Sequence, residues 1–340
     1  MNKAFSRRDF IKGSIVVAVG AMSAGALSAC AGQGGSASSA SSKSGGTVTL
    51  RRGYGVSHGD KCFGQAVVAT AEDGTILAVS IDDYQFLDAT TAGISPVPNA
   101  DKEFGQGFAA GKTLISKSDN DEVYSAMLKE KGKATQNWLT SIQAIEAYCV
   151  GKTPDKIQSA GTDAVSGATL VDTNGYLKLV AQVAADDSIA VKGTYEGDGS
   201  DLKMGRVNAV CHGTKTFGDA VSLVQGSKLV ATNIDEFQFF DATTQGLTAV
   251  PNSDKGFGQG YAEGKVLASK AINNTVYSEL MKEKAQATTP WLDSITAIEN
   301  ALAGKDVSEV KLSGPDALSG ATLVDTAAYA KAAATAAQAA

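Results

Sequence analysis

The chain has 340 residues, with 30 Lys and Arg against 36 Asp and Glu and a formal net charge of −6. That length supports two domains of ordinary size. The acidic balance argues against nucleic acid, which rewards clustered Lys and Arg.

Residues 1–29 read as an export leader. Ser6-Arg7-Arg8-Asp9-Phe10-Ile11-Lys12 matches the twin-arginine pattern, and an apolar, small-residue run follows from Ile15 to Leu27. The run is too short and too interrupted for a mature membrane span. It ends in Leu27-Ser28-Ala29-Cys30, which resembles a bacterial lipobox. The Cys30 thiol would accept a diacylglyceryl group, and two acyl chains anchor stably where one binds marginally. The alternative is an ordinary cysteine inside a secretory leader. Loss of the leader leaves 26 basic and 35 acidic side chains, a net charge of −9. Lipid rather than charge would then hold the chain to an anionic membrane. Residues 30–46 are the candidate lipidated cysteine and a Gly/Ser/Ala tether that spans roughly 20–25 Å as a flexible coil.

Two copies of one sequence follow. Ile81–Thr173 aligns with Ile234–Thr326 without a gap, at an offset of 153, and 53 of the 93 positions are identical. Upstream the offset is 154, as in His58-Gly59 and His212-Gly213. The extra residue falls near Glu72-Asp73-Gly74-Thr75, a turn that tolerates insertion. Two copies of such a long period indicate tandem domains rather than a solenoid. The boundaries read as 47–187, a linker at 188–200, and 201–340.

Each copy opens as β. Ala66–Ala71 and Ile76–Ile81 are apolar, β-branched runs around Asp73-Gly74, a hairpin signal. A polar, Gly-rich stretch runs from Asp88 to Lys112. A helix is expected over Glu122–Lys131. A clearer one carries Trp138, Ile142, Ile145 and Cys149 at helical spacing, stopped by Gly151; its twin carries Trp291, Ile295, Ile298 and Leu302. A third helix is expected at or just after Ser-Gly-Ala-Thr in each copy, and the Ala-rich end after Tyr329 favours helix. Strands first and helices later indicate an α+β fold, a hairpin-containing sheet with packed helices in each copy.

The most informative phrase is Asp163-Ala-Val-Ser166-Gly167-Ala168-Thr169-Leu-Val-Asp-Thr173, repeated as Asp316-Ala-Leu-Ser319-Gly320-Ala321-Thr322-Leu-Val-Asp-Thr326. Small residues before each Thr leave its hydroxyl approachable. A Thr at a helix N-terminus would place an attached phosphate against free N–H groups and the helix dipole. The same letters also read as a plain helix start, with Ser166 or Thr169 as N-cap.

The core D-x-x-S-G-A-T resembles the acceptor sequence of the FMN-binding domain family, whose final Thr carries flavin through a phosphoester. The resemblance covers both copies. With Gln-Phe, Asp-Lys-x-Phe-Gly and Lys-Glu-Lys upstream, the chain is also similar to two-domain flavinylated lipoproteins of Gram-positive extracellular electron transfer. It implies two covalent FMN groups, on Thr169 and Thr322. Asp163, Ser166, Gly167, Ala168, Asp316, Ser319, Gly320 and Ala321 would form the recognition sequence of a flavin transferase that uses FAD and Mg²⁺. It further implies an electron carrier rather than a complete enzyme, lipid-anchored outside the cytoplasm. Such a carrier passes electrons from a membrane oxidoreductase or quinol to an external acceptor or reductase.

Residues that contact the flavin ring should occur in both copies. Tyr84/Phe237, Phe86/Phe239, Phe104/Phe257 and Trp138/Trp291 do, and the Trp pair opens an apolar helical face that reads as core. In Phe104-Gly-Gln-Gly107 and Phe257-Gly-Gln-Gly260 the glycines allow close backbone approach to a flavin, or a tight loop. One histidine per copy cannot build a metal site, so His58 and His212 read as surface-loop residues or, alternatively, as flavin contacts. Cys62, Cys149 and Cys211 have no counterparts in the other copy; Cys62 and Cys149 read as a disulfide or as buried thiols. The alternative function is a solute-binding lipoprotein, with a cleft between two lobes and no modified Thr.

Overall fold

In the first copy, β1 (Gly46–Gly55), β2 (Cys62–Ala71), β3 (Ile76–Asp88) and β4 (Lys112–Ser116) precede helices α1 (Asp121–Gly132), α2 (Trp138–Cys149), α3 (Pro154–Gln158) and α4 (Thr173–Ala184). Strand β5 (Ala190–Tyr195) follows, inside the stretch expected to link the copies. The second copy repeats the run as β6 (Leu202–Ala209), β7 (Thr216–Gln225), β8 (Lys228–Asp241), β9 (Lys265–Ser269), α5 (Asn274–Ala285), α6 (Trp291–Leu302) and α7 (Thr326–Gln338). This is a computed structural model that describes residues 45–132, 134–161, 164–310, 323 and 325–340. The leader, Cys30, most of the tether, Asp163, Asp316, Ser319, Gly320, Ala321 and Thr322 lie outside the described residues.

The fold is α+β, with two antiparallel sheets ordered β4-β3-β2-β1-β5 and β6-β7-β8-β9. Alternation along β2 explains the layering. Phe63, Val67 and Ala69 meet the other sheet, while Ala66 and Val68 meet helices. Every residue of β2 except its last is therefore buried, because both faces are covered. Strand β7 repeats the pattern. The result is four layers, helices outside and two sheets within. Hairpin β2–β3 turns at Gly74, whose φ of +81° suits glycine, and Asp73 Oδ1 accepts the Thr75 N–H at 2.9 Å. The equivalent turn between β7 and β8 needs only Gly226 and Ser227, which accounts for the change of offset.

The copies contact each other isologously, each offering what the other receives. Phe104 N donates to Thr214 O and Phe257 N to Asp60 O; Ala109 N donates to Gly260 O and Ala262 N to Gly107 O. Asn99 Nδ2 reaches Gly213 O and Thr216 O, while Asn252 Nδ2 reaches Gly59 O and Cys62 O. Between the sheets lies an aromatic cluster in which Phe63 stacks on Tyr84 at 5.0 Å and Phe217 on Phe237 at 4.9 Å.

A buried charge network crosses the same junction. Arg52 on β1 donates to Asp219 Oδ1 at 2.5 Å and Asn233 Oδ1 at 2.6 Å. Its counterpart Arg206 on β6 meets Asp82 at 2.5 Å and Asp219 at 3.1 Å. Burial pushes the Asp219 carboxyl up, but the two guanidinium groups outweigh it and hold the group below its ordinary value. Asp82 stays raised, because burial there outweighs Arg206.

Candidate functional site

The segment that carries Thr169 is a surface loop anchored from beneath. Val165 is buried in the core between helices and sheet, and Ala168 and Leu170 pack against it. Gly167 turns the chain at φ +90°, a conformation other residues adopt only under strain. Gln136 Nε2 donates to Gly167 O and, at 2.7 Å, to Ser141 Oγ. Ser141, fully buried in the first turn of α2, accepts the Thr169 N–H at 3.3 Å, and its Oγ lies 3.5 Å from Thr169 Oγ1. Ser166 and Thr169 are exposed. The hydroxyl is therefore open to a modifying enzyme, while its backbone is fixed.

The helix start differs from the sequence reading. Leu170–Asp172 form an intervening turn closed by Thr173 N and Oγ1 on Leu170 O, so α4 begins at Thr173 with Asp172 at the N-cap. Neither Ser166 nor Thr169 caps it. Thr169 lies instead beside the first turn of α2. There the Trp138 and Leu139 N–H groups already bond Ser125 Oγ at 2.8 Å and Asp121 Oδ1 at 2.9 Å. The donor beside Thr169 is thus the Ser141 hydroxyl, held in place by the Gln136 amide, not a free helix end.

Each histidine pairs with the motif. His58 Nδ1 lies 2.5 Å from Asp172 Oδ2, and His212 Nδ1 lies 2.8 Å from Asp325 Oδ2. The repeat carried this signal, since both members of the pair recur at matched positions. Gly175, in the first turn of α4, lets the His58 loop approach: a Cβ there would lie 2.1 Å from Ser57 O.

Behind the loop lies a buried polar cluster. Asp83 accepts from Tyr176 OH at 2.6 Å, Ser57 Oγ at 2.7 Å and Lys117 Nζ at 3.0 Å. Lys117 Nζ also lies 4.6 Å from the Tyr124 ring centre, and Trp138 Nε1 donates to Tyr176 OH at 3.3 Å. Burial lowers the Lys117 pKa, but Asp83 together with the other groups around it outweighs burial and holds the ammonium charged. The second copy repeats this with Glu236–Lys270 at 2.6 Å, Tyr277 and Trp291. The Trp pair is core.

Phe104 and Phe257, proposed from sequence to contact flavin, are each 1% exposed within the aromatic cluster between the copies. A Cβ on Gly107 would meet Phe239 at 2.2 Å, and one on Gly260 would meet Phe86 at 2.2 Å. Close approach does require these glycines, but a phenylalanine of the other copy makes it. An apolar cavity of about 290 Å³ lined by Leu179, Val183 and Pro251 lies along the later turns of α4, away from Thr169. Cys62, Cys149 and Cys211 are free and buried, and burial pushes the Cys62 and Cys149 thiols up to about 12. Among the described residues no helix is long and apolar enough to cross a membrane.

Glu299 on α6 is 3% exposed, and its Oε1 accepts the Ile234 N–H at 2.7 Å. Burial pushes its pKa from 4.5 up to about 8. Between those values the folded chain holds a proton that the unfolded chain releases. The contribution is therefore complete below about 4.5 and is lost as pH rises through about 8. Glu299→Gln keeps the acceptor and cannot ionise. The variant should melt with wild type at pH 4.5 and above it at pH 8.5; equal melting at both would refute this assignment.

No protein-family model, curated protein or solved structure matches the chain.

Proposed function

We propose that the chain is a lipid-anchored extracytoplasmic carrier of two covalent FMN groups, one on Thr169 and one on Thr322, in two homologous FMN-binding domains. The observation that carries the reading is the exposed Thr169 hydroxyl at the end of a D-x-x-S-G-A-T core that recurs in the second copy. The residues around Thr169 suit a phosphoester. Gly167 and Ala168 keep the approach low, and the Ser141 hydroxyl, 3.5 Å from Thr169 Oγ1, offers a neutral donor to a phosphate oxygen. Loading needs a separate transferase. The bond from Thr Oγ to the FMN phosphorus forms as the pyrophosphate of FAD breaks, AMP departs and the Thr proton passes to the transferase.

Bound flavin supplies one- and two-electron chemistry; this chain's residues supply position. The aromatic and ionic junction joins the two copies that carry the motifs. The carrier would take electrons from a membrane oxidoreductase or quinol and deliver them to an external acceptor.

The test is anaerobic mixing of flavin-loaded protein with membrane vesicles supplied with a respiratory electron donor. Bleaching of the visible flavin band is expected. A band that stays oxidised with active vesicles would contradict the relay.

A further inference from the structure

Strand β5 fills a slot made by both copies. It pairs antiparallel with the edge of β1, with Val191 opposite Leu50 and Gly193 opposite Val48. It also lies against β8 and α6 of the second copy. Val191 shares a core with Val230 and Ala231, and Ile189 joins the one that contains Ile298 and Leu302. Gly193 passes so close that a Cβ would lie 2.2 Å from Val230 O.

The repeat builds the matching slot from β6, β3 and α2. Val48 and Leu50 correspond to Leu202 and Met204, Val230 to Leu77, and Glu299 to Glu146. These four counterparts line a single groove of about 520 Å³. Among the described residues β6 pairs only with β7. The surfaces differ accordingly. Leu50 is fully buried but Met204 only partly; Glu299 is buried but Glu146 half-buried; Val150 on the rim is 45% exposed. The first slot is filled by strand and the second is open.

We infer that this groove docks one extended segment of a partner protein, added antiparallel to the edge of β6. The pattern it accepts follows from β5: an apolar residue opposite Met204, any residue opposite Lys203, and glycine opposite Leu202 beneath the Leu77 carbonyl. Edge backbone groups supply the hydrogen bonds, and alternate side chains supply the selection. An uncovered edge invites such pairing. A second copy is a poor occupant, because its own β5 is held in its own sheet.

The probe is a synthetic peptide of residues 187–195 of this chain, labelled and titrated into the mature protein. Saturable one-to-one binding is expected. Ala147→Arg places a long side chain in the groove from an exposed position and should weaken binding at least about tenfold without moving the melting temperature. A peptide with Gly193→Val should fail likewise, because its Cβ meets the Leu77 carbonyl. No saturation, or binding indifferent to both changes, would overturn the inference. Self-association of the protein that Ala147→Arg abolishes would make the occupant a second copy and overturn the partner assignment.

Discussion

Arg206→Ala is expected to lower stability by about 3–5 kcal/mol, the cost of breaking a buried ion pair from one side. Arg206 is 9% exposed and donates to Tyr84 OH at 3.2 Å and Ser116 Oγ at 3.0 Å, besides meeting Asp82 and Asp219. Its removal leaves Asp219 with Arg52. Asp82 keeps neutral donors: Ser116 Oγ at 2.5 Å, Ser118 at 2.8 and 2.9 Å and the Asp83 N–H at 2.8 Å. Arg206→Lys should recover only part of the loss, because an ammonium cannot reproduce the planar fork. Lys215 provides the control. It pairs with Glu103 at 3.4 Å with both side chains largely in solvent, so Lys215→Ala should leave the denaturation midpoint in place. Equal midpoint shifts for Arg206→Ala and Lys215→Ala would refute the junction's role.

Thr169→Val and Thr322→Val should each remove one covalent flavin and leave the other. Valine keeps the shape of threonine and deletes the nucleophile. At Thr169 the structural cost is small: the side chain is exposed and its hydroxyl makes one long contact with Ser141. A surface change of this kind alters stability by no more than about 0.5 kcal/mol. Visible flavin absorbance that stays with the denatured chain should therefore halve in each single variant and vanish in the double. Unaltered folding separates this from loss of flavin through collapse of a binding pocket.

Local pattern made part of the fold legible. The β2–β3 hairpin announced itself by β-branched runs around Asp73-Gly74, and α2 by Trp138, Ile142, Ile145 and Cys149 on one face. Strand β1 did not, because Arg51-Arg52 in its middle reads as solvent-facing. Arg52 is instead fully buried, matched by Asp219 and Asn233 from distant sequence. A charge that is buried because its partner lies in the other copy leaves no local trace. Strand β5 was hidden for a related reason: Ala190–Tyr195 is short and half polar, and only its pairing with β1 makes it a strand. Gly107 and Gly260 were legible as points of close approach. The approaching ring was not, since flavin and phenylalanine make the same demand on a glycine. The exposure of Thr169 was legible in the small residues before it. That the helix waits until Thr173 depended on the turn at Leu170, which propensity alone does not reveal.

Covalent loading is read from the intact mass of the denatured protein after co-expression with an active flavin transferase. The carrier account predicts a mass increased by two FMN groups, by one in either Thr→Val variant and by none in the double. An unmodified mass, with the same transferase loading another acceptor protein in parallel, would contradict it.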